Sequence, residues 1–297
     1  MKIPDRFASA IVLIGAIVAV VAAPPAVAAT PITLGSGFNY PTGVAVDGNA
    51  NVFVGDTENG RVKEILAPDY TTVITLAPAS GFLNLPKGVA VDGSGNVFFV
   101  ESGTRLVKEI VAPAYTTINT LGGGSIVFLS PIGIAVDGSG NVFVADSSAD
   151  VSMITEILAP VYTTVTMRGS GFYYPAGVAV DGSGNIFVAD LGNAAVKEIV
   201  APAYTTVNTL GDLFNGGFGA PEGVAVDGHG NVFVADTANN DVKEIVAPGY
   251  TTITTLGSGF KNPRGVAVDG SDNVFVADYA NWAVKEIPDR FFYDGFE

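Results

Sequence analysis

Six copies of one unit, each reading as four short strands, predict an all-β fold for these 297 residues. The fold class is a six-bladed β-propeller of four-stranded blades, closed by the N-terminal strand pairing into the last blade. Three observations carry this. The string GVAVDG at Gly43–Gly48 returns at Gly88, Gly133 (as GIAVDG), Gly177, Gly223 and Gly265. Each copy continues into runs of the type NVFVAD, VKEI and YTTxxTL, rich in Val, Ile, Phe, Thr and Tyr and bounded by Gly, Asn or Pro. The sixth copy ends at Ile287 without its fourth run, and a matching run, Ala29 to Phe38, stands ahead of the first copy.

The first run of each copy is small, Gly-Val-Ala-Val, which suits the crowded axis of a ring. The second carries Phe53, Phe98, Phe143, Phe187, Phe233 and Phe275, further out where blades diverge. Small inside and large outside fills a wedge without voids. The link between them, Asp47-Gly48-Asn49-Ala50-Asn51 in the first copy, is a tight hairpin. Its Asp-x-Asn-x-Asn spacing is that of a calcium loop, but an EF-hand wants Gly at position six, where Val or Ile stands in every copy. Hairpin chemistry is the reading. The third run brings a Lys close to the acid that ends the second (Asp56, Glu101, Asp146, Asp190, Asp236, Asp278), a pairing that loses its Lys at Thr155. Closure by Ala29–Phe38 hides two strand edges that would otherwise invite association.

The chain divides into residues 1–28, a signal peptide; 29–287, the propeller; and 288–297, a tail. Lys2 and Arg6 precede the apolar stretch Ile11–Ala23 and the small-residue sequence Ala26-Val27-Ala28. That is the pattern of a secretory signal, and the run is shorter than the roughly 20 residues of a spanning helix. A secreted or periplasmic monomer with no membrane span after cleavage is expected. Lys and Arg number 14 against 29 Asp and Glu, a net charge of −15, so nucleic acid is a poor partner. The absence of Cys removes disulfides and thiolate metal sites, and a single His removes any centre needing two.

Loop lengths vary between copies at one end of the ring only, and function on propellers sits on loops held by a rigid scaffold. The candidate binding residues therefore lie there. Thr42, Lys87, Ile132, Ala176, Glu222 and Arg264 each follow the repeat Pro, and neighbouring turns add Arg61, Arg105, Asp150, Tyr279 and Trp282. Longer loops add Phe128, Tyr173, Tyr174 and Phe214. A lone Trp among aromatics suits a flat contact or a sugar ring. These aromatics would otherwise cap the core between blades. No catalytic, metal or cofactor residues are assigned. His229 takes a slot that is Ser in four copies, inside a surface hairpin at the constant end.

The repeat, Pro-x-Gly-[Val/Ile]-Ala-Val-Asp-Gly-x-x-Asn-[Val/Ile]-[Phe/Tyr]-Val-Ala-Asp, resembles the NHL repeat family from Pro41 to Ile287. The resemblance implies a six-bladed propeller, most like bacterial exported members. It departs where family copies carry Arg after the Asn turn; here only Arg61 and Arg105 stand near that position. Six-bladed relatives include lactonases and lyases. The lyase types need His sets that this chain, with one His, cannot assemble. The function expected is a non-catalytic scaffold for a protein, small-molecule or carbohydrate ligand. A metal-dependent hydrolase or lactonase is the alternative, and an envelope structural protein the second.

Overall fold

The computed structural model describes residues 30–77, 81–122 and 128–288. The expected signal peptide and residues 289–297 of the tail lie outside them. Strand β1 (Ile32–Leu34) comes first, followed by β2–β5 (41–77), β6–β9 (86–120), β10–β13 (131–168), β14–β17 (175–211), β18–β21 (221–256) and β22–β24 (263–287). These make six four-stranded antiparallel sheets. Five are consecutive meanders, and the sixth has the order β1-β24-β23-β22. The N-terminal strand thus completes the last blade, with Ile32 opposite Glu286, Thr33 opposite Lys285 and Leu34 opposite Val284.

Burial explains the sequence of each strand. Every second strand is covered on both faces by the neighbouring blades, so it reads as a continuous apolar run; all five residues of β3 (Val52–Asp56), β15 (Ile186–Asp190) and β23 (Val274–Asp278) are buried. The six predicted Phe residues are between 0 and 4% exposed. Outer strands read Thr-rich because they face water; β9 (Ile118–Thr120) is exposed throughout. The core is divided into apolar clusters that bridge blades. One joins Leu34, Phe38, Phe275 and Val284 of the closing blade to Val44, Val52 and Ile65 of the first.

A ring of glycines fixes the axis. A methyl group on Gly43 would stand 2.3 Å from the carbonyl oxygen of Lys87; on Gly88, 2.5 Å from that of Ile132; on Gly133, 2.4 Å from that of Ala176. The pattern continues through Gly177 and Gly223 and returns when Gly265 meets the carbonyl of Thr42 at 2.6 Å. Backbone rests on backbone all the way round, which only Gly permits. Side chains clasp the same seams: Thr57 donates to the Pro86 carbonyl at 2.7 Å, Ser102 to Pro131 at 2.6 Å and Thr237 to Pro263 at 2.7 Å.

The constant end is held by its hairpins. Asp47 Oδ1 accepts the N–H groups of Asn49 and Asn51, its Oδ2 accepts from the Asn51 side chain, and Asn51 Oδ1 accepts from Ala67 N. The same set recurs at Asp92, Asp137, Asp181 and Asp227. Those oxygens are spent on the turn and on the strap between third and fourth strands, as hairpin chemistry requires.

Candidate functional site

The variable end of the channel is shaped by a bulge repeated in every blade. Between Pro41 and Gly43 the pairing of β2 with β3 slips: Pro41 faces Asp56 and Gly43 faces Gly55, leaving Thr42 without a partner. The same slip occurs at Pro131, Pro175, Pro221 and Pro263, and a longer one at Pro86. A bulge re-aims the extra residue. The six residues that follow the repeat Pro are these extra residues. Thr42, Ile132, Ala176, Glu222 and Arg264 line a depression over the glycine ring, with Val44, Val89, Ile134, Val178, Val224 and Val266 beneath. Lys87 stands beside it, within electrostatic reach of Arg264 and Glu222.

Charge at this mouth is uneven. Arg264 Nε lies 3.4 Å from Glu222 Oε2 yet is buried without a hydrogen bond, and its guanidinium stacks 3.7 Å from the Tyr279 ring centroid. Burial pushes the Glu222 carboxyl up, against the opposing pull of Arg264 and Lys87. Burial, then the Arg264 charge, pushes the Lys87 ammonium down. Among the described residues Lys87 has no ion pair within 4.0 Å and no hydrogen bond. Round the ring, Glu222, Arg264, Thr42 and Lys87 form a polar arc, and Ile132 with Ala176 an apolar one.

The acids that end the second strands do not supply this mouth; they are consumed in the walls. Asp56 is fully buried, receives Asn39 N–H at 2.7 Å and the Asn59 amide at 2.8 Å, and pairs with Lys63 at 2.6 Å. Lys63 also donates to the Gly37 carbonyl and lies over the Phe38 ring. This constellation returns at Lys197, Lys243 and Lys285. In the third blade, where Thr155 replaces Lys, Asp146 accepts N–H groups from Leu129 and Ser130 instead.

The remaining predicted residues fall in several places. Tyr279 and Trp282 meet Tyr40, which is outside the expected set, with centroids 4.7 and 5.7 Å apart. Trp282 is 55% exposed. A continuous strip therefore runs from Arg264 through Tyr279 and Tyr40 to Trp282. Its only signal in the sequence is that Tyr40 directly precedes the repeat Pro. Tyr173 packs on Tyr174 with centroids 4.5 Å apart, and Phe214 is 95% exposed on the Asp212–Gly217 loop. Arg61 binds the Gly81 carbonyl and covers the exposed Phe82 ring. Arg105 and Asp150 are exposed on their turns. Thr42 is buried, its hydroxyl 2.7 Å from that of Thr57. Phe128 corrects an expectation: it is 3% exposed, packed with Phe98 and Ile157 as core rather than rim.

His229 lies on its hairpin at the opposite end, exposed, 3.9 Å from both Asp227 and Asp272 of the next blade. These three are the residues whose geometry approaches that of a metal site among those described. The Asp227 oxygens are already engaged by their own turn. At the channel mouth the donor set does not fit a divalent cation, because it offers one carboxylate beside two cationic side chains.

Residues 38–65 and 172–198 match the NHL repeat model. No curated protein sequence matches the chain. Among solved structures, a gluconolactonase from Xanthomonas campestris is similar at 16% identity and a TM-score of 0.72, covering 87% of this chain and 89% of that one. A virginiamycin B lyase from Staphylococcus aureus is similar at 13% identity and a TM-score of 0.60, covering 88% of each. A chain of a nidogen/laminin complex is similar at 20% identity and a TM-score of 0.66, covering 76% and 84%. At these identities the likeness is one of fold alone. Two segments that match the NHL repeat thus sit on a closed ring of six four-stranded blades, a β-propeller.

Proposed function

We propose that this propeller is an exported, non-catalytic binding scaffold that takes its ligand at the variable end of the channel. One observation carries the reading. The residues that differ from blade to blade at the bulge lie at one mouth, Thr42, Ile132, Ala176, Glu222 and Arg264 lining it and Lys87 beside it, while the rest of the ring is close to uniform. A site for a specific partner needs asymmetry, and the asymmetry is concentrated there. The aromatic strip to Trp282 and the exposed Phe214 and Tyr173 extend it outward. Export rests on Lys2, Arg6, Ile11–Ala23 and Ala26–Ala28.

The test is a screen of the purified protein against neutral and acidic glycan arrays and against lysate proteins, repeated with Tyr40→Ala/Trp282→Ala and with His229→Ser on the far face. Binding should be lost in the first variant and kept in the second. Retention by both, or no binding by any form, ends the reading. Loss with His229→Ser alone would move the site to the constant end.

A further inference from the structure

We propose that the channel mouth takes the carboxylate of an acidic sugar, with Arg264 and Lys87 meeting the charge and Tyr40 and Trp282 carrying the ring. This rests on the binding reading above and names its ligand class.

The argument starts from unmet hydrogen-bonding capacity. A guanidinium carries five N–H donors in a fixed fork that matches a carboxylate edge to edge. Among the described residues Arg264 makes no hydrogen bond; its contacts are the 3.4 Å approach to Glu222 and the face of Tyr279. Stacking on Tyr279 holds the guanidinium plane while leaving its edge free. Lys87 is a second cation without a partner, half-buried beside the same depression. Two cations therefore stand against one carboxylate, and an incoming anion would neutralise the excess in a site partly screened from water. Of the ion pair, the Glu222 side chain is 19% exposed and that of Arg264 29%, so the more accessible charge is the positive one.

The shape of the site selects the body attached to that anion. The cavity beneath the mouth is about 60 Å³, floored by the glycine ring and lined by Val and Ile. It admits a small head group and no large one. The rest of the ligand must lie outside, and the surface there is the strip Tyr279, Tyr40, Trp282 leading to the rim. Flat aromatic faces beside a charged anchor fit the apolar face of a pyranose. Phosphate would satisfy the cations and make no use of the strip. A neutral sugar would use the strip and leave the cations unmet.

The experiment is isothermal titration of the purified protein with methyl β-D-glucuronide, with methyl β-D-glucoside as the neutral counterpart, and with inorganic phosphate. The glucuronide should bind at least tenfold more tightly than either. Arg264→Gln should reduce that affinity at least tenfold, the loss expected from one charge-assisted hydrogen bond, and leave the glucoside unchanged. Lys87→Met, which removes charge without disturbing the Tyr279 stack, should act in the same direction if Arg264→Gln fails to fold. Trp282→Ala should weaken both sugars. Equal binding of glucoside and glucuronide, or of phosphate and glucuronide, overturns the inference, as does a change under twofold in both charge variants. Glycan-array binding confined to neutral sugars would sink this inference and leave the binding reading standing; silence of array and lysate alike would sink both.

Discussion

Closure of the ring can be tested on a three-residue strand. In β1, Leu34 is 3% exposed and points into the cluster of Val44, Ile65, Phe275 and Val284, while Ile32 is 52% exposed. Phe38, just beyond, is 6% exposed under the Lys63 ammonium. Leu34→Ala removes three buried carbons from a seam that the rigid glycine ring keeps from collapsing, so a loss of about 2–5 kcal/mol is expected. Phe38→Ala should lose about 3–5 kcal/mol for the same reason. Ile32→Ala, on the same strand with the same hydrogen bonds to β24, should cost within about 0.5 kcal/mol. Deleting residues 30–38 removes both anchors, the Gly35 N–H bond to the Tyr70 carbonyl and the Gly37 carbonyl that Lys63 and Asn59 share. Those losses approach the roughly 5–15 kcal/mol that a whole domain possesses. Urea unfolding followed by Trp282 fluorescence and circular dichroism measures all four. If Leu34→Ala and Ile32→Ala unfold at the same midpoint, the strand does not seal the ring and the closed channel on which the site depends is lost.

Three further outcomes follow from the same geometry. Gly133→Ala should destabilise by about 1–3 kcal/mol or more, because its new methyl group meets a main-chain carbonyl at 2.4 Å, whereas Gly138→Ala, with nothing within 4 Å, should be near neutral in the same urea series. Lys243→Met leaves Asp236, fully buried, without its 2.6 Å cation, and should cost about 3–5 kcal/mol in thermal unfolding; restored stability in a Lys243→Met/Asp236→Asn double variant would assign the loss to the stranded charge. Glucuronide affinity should rise as pH falls through the raised Glu222 value, since protonation removes the negative charge beside the ligand. It should fall as pH climbs through the lowered Lys87 value, since deprotonation removes a positive one; titrations at stepped pH with Glu222→Gln and Lys87→Met should lose the first and second limb respectively.

The architecture is legible because every blade repeats the same compromise. A ring forces small residues inward and large ones outward, so period and residue size together give strand order, the wedge and the closing strand. The ladder of acids and Lys was visible too, since Asp56 stands opposite Arg61 and Lys63 lies two residues further along the same face of β4, within diagonal reach. The bulge was not visible. Nothing in Pro-x-Gly states that x is squeezed out of the pairing, yet that slip turns a loop position into a channel-mouth position. Loop length located the right end of the ring without distinguishing core from rim: Phe128 and Phe214 look alike in sequence, and the first fills a seam while the second stands free. Tyr40 escaped because only the adjacency of first and last blades, a contact between distant parts of the chain, brings it to Trp282.

The division of labour between charge networks explains why so acidic a chain can present a cationic site. Two carboxylates per blade are bound into the repeat, at one end by hairpin N–H groups and at the other by Lys, Asn and main-chain donors. Each such acid is balanced locally, so its field falls off within the blade. The bulge position lies outside both networks. Thr42 meets Thr57 and Glu222 bonds Thr237, but no Lys–acid pair of the repeat neutralises a charge at this position, so whatever enters the channel meets it. Substitution at this one position in each blade can therefore change ligand preference without touching the seams that hold the ring, and the present set of Lys87, Glu222 and Arg264 among neutral neighbours is one such setting. A chain with Glu222→Lys should fold with unchanged stability against urea and bind glucuronide more tightly; a destabilised protein would mean that Glu222 belongs to the scaffold and that the bulge is not an independent site.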